Sequence, residues 1–399
     1  MPIAFPKVHA TLRTLLLIGI VTLAACAAHV SERETGVPFE QAVDQSVDDL
    51  FAQTQKLPAF MATVESKVKP SQAIVIDPLL DGASGQQTDA TKGAEQRIAE
   101  RVRLRFRQFS VSTFDASGLA GAQYVLNGTL TRTGAGQYRL SLALTEIRSG
   151  VVLAQAASRV ADNALNANPT AAYRDSPVIA KDRVVEGYIR TSQTRAGQPA
   201  DALYLERLPT SALLADANAA YNDKRYADAL ARYEAASQRP DGQQMSIYSG
   251  LYLTQTQLGQ REAAEKTFGQ MARLGLATNN LSVKFLFKPG STDFVGDARV
   301  SGPYPMWLRQ IARQSAQIDS CVVVTGHTSK TGSETVNDRL SLQRATVVKK
   351  RLETETPELG RKLREAGLGF RENIVGTGTD DMRDALDRRV EFKVVGCVS

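Results

Sequence analysis

Toward the C-terminal end of the chain, the residues best suited to hold a ligand recur at helical spacing. Thr331-Gly332-Ser333-Glu334 is a capping-box pattern that opens a helix. Asn337 and Arg344 follow within it. At about 100° per residue their side chains fall about 20° apart, on one edge of an apolar stripe expected at Val336, Leu340 and Val347. The rise between them is about 10.5 Å, so the two line a groove rather than meet. A guanidinium offers bidentate pairing with a carboxylate. Before the helix stand Thr328 and Ser329, and after it Asp380, Asp381 and Arg389. A hydroxyl such as that of Ser329 can hydrogen-bond an ammonium but cannot neutralise it, whereas a carboxylate can.

Catalytic chemistry finds no support. His327 is accompanied by no nucleophile motif and reads as a packed loop residue. Gly376-Thr377-Gly378 lacks the third glycine and following helix of a dinucleotide loop. No G-x-S-x-G, G-x4-G-K-[ST] or H-E-x2-H run occurs, and the 3 Cys and 3 His leave little for metal ligation. A non-enzymatic protein with no cofactor is expected.

The elements that must position these residues alternate. A strand over 283–287 meets a turn at Pro289-Gly290, and a helix follows near 304–316, with Tyr304 and Trp307 expected to cover the core of this last domain. A strand from Cys321 to Thr325 leads into Gly326-His327-Thr328. The Asn337–Arg344 helix comes next, then a third strand containing 374–378 and a final strand over 388–392.

The ordered series GHT, N-x2-LS-x2-RA and RRVE resembles the OmpA-like C-terminal domain, a family that binds peptidoglycan non-covalently. The resemblance implies a βαβαβ(α)β domain over 282–399 and a peptidoglycan site including Thr328, Ser329, Asn337, Arg344 and Arg389. In that family the arginine at the place of Arg344 takes a carboxylate of the stem peptide's diaminopimelate, and an aspartate just after GHT takes its ammonium. Ser329 stands at the aspartate's place and Asp387 where the family usually has asparagine. Asp380 or Asp381 could supply the missing charge. The resembling fold also makes the strand opened by Cys321 and the one before Cys397 antiparallel neighbours, which implies a disulfide between them.

Upstream, three modules are expected in a multidomain α+β chain. Over 71–160 the order is β-α-β-β-β-β: a strand at 73–76, a helix over 89–107, a strand at 109–114 and runs at 124–131, 138–146 and 151–158. This loosely resembles the periplasmic domain of LpoB-type and CsgG-type lipoproteins. Residues 161–205, rich in Ala, Asn, Ser and Pro, read as a connector with one short helix. Over 206–278, Tyr226, Ala229, Tyr233 and Ala236 give a Y-x2-A-x3-Y-x2-A run, and 35 residues on from Ala229 and Tyr233 stand Ala264 and Phe268. That period resembles tetratricopeptide repeats, whose small residues let paired helices touch. Two such units need a neighbour or flanking helices to lean on.

The N-terminus reads as a processing signal. Lys7 and Arg13 precede an apolar run from Leu15 to Ala25, too short for the roughly 20 residues a bilayer core demands. Leu23-Ala24-Ala25-Cys26 resembles the lipobox of bacterial lipoproteins, which implies a signal peptide over 1–25, lipidation at Cys26 and a tether over 26–70. With Ala27 after the cysteine, the outer membrane is the expected address, the protein facing the periplasm. The 399 residues are 43% hydrophobic and 23% charged, with a net charge of +6. That excludes disordered and multi-spanning classes, and the charges are interspersed, so nucleic acid is not an expected partner. The expected partners are peptidoglycan, the outer membrane, and a periplasmic protein reached through 71–278. The expected role is an envelope tether. The alternative is an accessory subunit of a cell-wall synthase or secretion apparatus.

Overall fold

The computed structural model describes residues 36–55, 72–379 and 383–397; the signal segment, Cys26, Asp380 and Asp381 lie outside them. Among the described residues no helix is long and apolar enough to cross a membrane.

The first sheet combines two patterns. Strand β1 (Gln72–Ile76) pairs in parallel with β3 (Phe109–Ser112) and β4 (Tyr124–Gly134). The short β2 (Leu80–Asp81) also joins β4, and β4 continues as an antiparallel meander into β5 (Gln137–Glu146) and β6 (Val152–Ala161). Helices cover both faces, which is why Tyr124 to Leu130 are buried without alternation. On one face lie helix α1 (Phe39–Thr54) and α2 (Asp89–Arg105), the latter opened by a reciprocal Thr88–Thr91 capping box. Helix α1 buries Val43, Val47, Leu50 and Phe51, and its Asp44 pairs bidentately with Arg97 of α2 at 2.8 and 2.9 Å. Part of the segment expected as a tether is therefore a packed helix of the first domain. Its helical spacing of apolar residues has a core to fill.

The short helix α3 (Ala116–Gly121) precedes β4. After β6 the expected connector carries three elements: α4 (Ala171–Arg174), α5 (Arg183–Ser192) and the start of α6 (Ala202–Asn222). They are structural parts, not a linker. Tyr188 and Tyr204 are buried against the second face of the sheet with Val75, Leu80, Phe114 and Val125. Helices α7 (Tyr226–Ser237), α8 (Met245–Gln257) and α9 (Arg261–Ala277) follow. Of the residues in the repeat pattern, Ala229, Tyr233, Ala236, Ala264 and Phe268 are buried, while Tyr226 is half-buried.

The second sheet runs β7–β10–β8–β9. Strand β10 (Val390–Val395) lies antiparallel to β7 (Leu281–Val283) and β8 (Cys321–Gly326), and β9 (Leu363–Gly367) parallel to β8. The third strand is thus 363–367, not 374–378. The latter residues form a loop because their backbone N–H groups are taken by buried carboxylates, described below. The first strand is also displaced: pairing stops at Val283, and Phe287 instead bridges to Phe294. Upstream residues extend the β7 edge, with Ile179 N donating to Ser282 O at 3.0 Å and Lys284 N to Pro177 O at 2.9 Å.

Between these strands lie α10 (Ala298–Ser301), α11 (Tyr304–Ala316) and α12 (Glu334–Glu355). Trp307 of α11 does not merely cover the last domain. It stacks on Phe268 of α9, ring centroids 5.4 Å apart and planes 3° from parallel, and donates from Nε1 to Tyr252 Oη at 2.8 Å. The helices and the second sheet share one apolar core from Ala217 to Phe392. Cys321 and Cys397 are joined by a disulfide.

Candidate functional site

The site lies where β8, the start of α12 and the approach to β10 converge. Gly326 permits the convergence: a Cβ there would stand 2.1 Å from the Ser341 carbonyl oxygen of α12. The chain then turns through His327, Thr328 and Ser329, all buried. His327 N donates to Arg389 O and Thr328 N to Gly369 O, which fixes the turn between β10 and the segment after β9. Asn373, with its amide nitrogen toward Thr328 O at 2.9 Å and its oxygen accepting from Lys330 N at 3.1 Å, closes the loop from the other side.

Helix α12 does not bury the stripe expected from its sequence. Val336 is 51% exposed, and the buried row is Asn337, Ser341, Arg344, Ala345, Val348 and Leu352. The apolar positions at its N-terminal end give way to polar ones because that end faces the polar loop. Asn337 turns its amide nitrogen to the carbonyls of Thr331 at 2.7 Å and Ser333 at 3.0 Å. It shapes the loop that carries Ser329. Arg344, 4% exposed, donates from Nε to Ser291 O at 3.0 Å and from Nη2 to Lys288 O at 3.1 Å. Its guanidinium lies over the Phe287 ring, 4.8 Å from the centroid. Two of its N–H groups thus hold the 288–291 turn, so Arg344 has a positioning job beside any ligand contact. Thr328, Ser329 and Asn337 form one connected loop; Arg344 is tied to a different turn.

Arg389 anchors a buried network. Its Nε donates to Glu391 Oε1 at 2.8 Å and its Nη2 to Glu372 O at 3.1 Å, while its Nη1 is buried with no partner. Thr328 Oγ1 and both ring nitrogens of His327 are likewise buried with no hydrogen-bond partner among the described residues. His327 Nε2 stands 3.6 Å from Glu391 Oε1, beyond hydrogen-bond length. Burial would raise the Glu391 carboxyl, but His327 and Arg389 together hold it well below the usual carboxylate range. His327, Glu372 and Glu391 offer three ligand atoms within 4.8 Å of one another. The Arg389 guanidinium stands 2.8 Å from Glu391 Oε1, so these groups are tied into an ion-pair network.

The loop over 374–379 is held by two carboxylates. Asp387 accepts from the backbone of Ile374, Val375 and Gly376 at 2.6, 3.1 and 2.8 Å. Asp384 accepts from Thr377 N at 3.0 Å and Thr377 Oγ1 at 2.6 Å. A single asparagine oxygen could not serve the three N–H groups as a two-oxygen carboxylate does, which gives Asp387 a physical reason at its place. Asp384, Glu391 and Glu372 were not singled out from the sequence. The signal for Glu391 was present: it alternates with the buried Val390 and Phe392, which puts it on the same face as Arg389. For Asp384 no local pattern exists.

Residues 287–385 match the OmpA family. The chain is similar over 29% of its length to the cell wall anchor of the T6SS from Pseudomonas aeruginosa, at 26% identity and a TM-score of 0.24, spanning 80% of that structure. It is similar to the peptidoglycan-associated lipoprotein from Burkholderia pseudomallei at 22% identity and a TM-score of 0.23, over 29% of this chain and 89% of that one. The periplasmic domain of Helicobacter pylori MotB gives 17% identity and a TM-score of 0.24, over 30% of this chain and 76% of the other. No curated protein matches the chain.

Proposed function

We propose that this protein is a non-enzymatic outer-membrane lipoprotein, anchored through Cys26, that binds peptidoglycan non-covalently with its C-terminal domain and tethers or scaffolds envelope components. The observation that supports it best is the OmpA-family match over 287–385, and on the sequence resemblance Arg344 and Ser329 take the two ligand-bearing places of the family motif. Stem-peptide recognition there needs a cation for a carboxylate and an acceptor for an ammonium. Arg344 supplies the first and the buried Ser329 hydroxyl, reinforced by Asp380 or Asp381, the second. Residues 71–278 then present a partner-facing surface to the periplasm.

Sedimentation of the full chain with isolated peptidoglycan sacculi tests the reading. The protein is expected in the pellet and should be displaced by free stem peptide containing diaminopimelate. Ser329→Asp adds an opposite charge for the ammonium in a partly desolvated groove and should strengthen binding. A full chain that stays in the supernatant at every sacculus concentration overturns the proposal.

A further inference from the structure

A cavity of about 330 Å³ opens where the end of β1 and helix α2 of the first domain meet helices α5 and α6. Four carboxylates line it, those of Asp77, Glu95, Asp115 and Asp216, against one ammonium, Lys92. Two of the four are already engaged. Asp115 accepts from Gly118 N at 2.7 Å and from the Thr113 hydroxyl, capping α3, and Asp216 pairs with Arg232. The other two carry no ion pair among the described residues. Asp77, only 6% exposed, accepts from Tyr204 Oη at 2.8 Å with Oδ2, and its Oδ1 has no hydrogen-bond partner among the described residues. Glu95 takes a long 3.3 Å contact from Gln87 Nε2 and a backbone hydrogen bond from Leu79. Tyr173, Tyr188 and Phe114 supply aromatic wall beside them.

We infer that this cavity is a binding site for a small organic cation, an ammonium or guanidinium on an apolar stem, held by Asp77 and Glu95 and flanked by aromatic rings. The volume is at the lower end of small-molecule sites. An acidic floor with aromatic walls favours a cation that is also partly apolar, because ring faces attract positive charge and cover methylenes. A metal ion fits less well: among the described residues, no three of the cavity's acids bring ligand atoms together, and the one group of three that does lies elsewhere. Burial raises Asp77 to about 8 and Glu95 to about 7, so near pH 7 Asp77 is mostly protonated and Glu95 about half protonated. A bound cation would ionise them, and binding should release protons.

Isothermal titration of the full chain with agmatine, cadaverine and benzylamine, and in a separate arm with an end-blocked lysine peptide, tests this. Saturable one-to-one binding of a free amine or of the peptide is expected, with proton release visible as a dependence of the heat on buffer ionisation. The two arms separate a free metabolite from a partner's side chain. Asp77→Asn keeps an acceptor for Tyr204 and removes the charge, and it should weaken binding about 10- to 100-fold. Glu95→Gln, on a different element, should weaken it in the same direction, with the far-ultraviolet circular dichroism spectrum and the denaturant midpoint reporting that both variants remain folded. No saturable binding at millimolar concentrations in either arm overturns the inference. So does undiminished binding in both variants, or displacement of the amine by equimolar calcium.

Discussion

At the residue scale, single side chains are set by what surrounds them more than by their type. Asp77 is the clearest case. Its carboxyl is pushed up to about 8 by burial, against the hydrogen bond from Tyr204 that pulls the other way. The native state therefore binds a proton that the unfolded chain, with its value near 3.8, has already lost. Stability from this group is complete below about pH 4 and is lost as the pH rises toward 8. Asp77→Asn removes that dependence, so the variant should match the natural chain at pH 4 and exceed it at pH 8 by on the order of a few kcal/mol. Denaturant unfolding at the two pH values reads the difference; an equal effect at both would show that Asp77 is ionised in the folded protein. Nothing in the sequence marks Asp77, because a D-P after a short apolar run reads as a turn. The reverse holds at Arg344. Its type and spacing drew attention from the sequence, but not its carbonyl partners in the 288–291 turn, which lie more than 50 residues away in the chain.

At the element scale, legibility followed the source of each element's stability. The run at 138–146 alternates, and the strand there is Gln137–Glu146; helix 89–107 carries its own cap at Thr88 and is observed over Asp89–Arg105. Local pattern decides these. The run at 374–378 has strand-forming residues, yet Asp384 and Asp387 bind its N–H groups, and tertiary contacts override propensity. The true third strand, Leu363–Gly367, is short, with Arg364 and Glu365 exposed on the sheet edge, and offered no apolar run to read. The two inner strands of the last sheet also carry a covalent tie. The Cys321–Cys397 bridge closes a separation of 76 residues, joining the start of β8 to the chain just past β10. In the chain-entropy model this stabilises by up to ~4.5 kcal/mol. Thiol labelling of the denatured, unreduced protein should find neither cysteine free; two labelled thiols would dispose of the bridge. Replacing both by serine should lower the denaturant midpoint without changing the strand pairing that β10 makes through its backbone.

At the scale of the whole molecule, the chain is less divisible than its sequence modules imply. The helices over 202–277 have the alanine spacing of a repeat, but Phe268 and Tyr252 bury themselves against Trp307 of the following domain. Residues 177–179 likewise extend the edge of β7, and Lys284 is half-buried with its ammonium on the carbonyls of Tyr173 and Arg174 at 3.2 and 3.0 Å. A fragment beginning at residue 282 would lose Leu281 of β7, the edge pairing and the ring stack together. Burying a large aromatic side chain is worth about 3–5 kcal/mol by truncation, a sizeable part of any domain's stability. Trp307 is the chain's one tryptophan and 6% exposed, so its emission reports this junction alone. The full chain should show the blue-shifted emission of a buried indole. Fragment 282–399 should emit further to the red and unfold at lower denaturant, whereas a fragment starting near residue 165 should keep both the emission and the midpoint of the full chain. Identical spectra and midpoints for all three would mean that the C-terminal domain stands alone and that the shared core adds nothing to it.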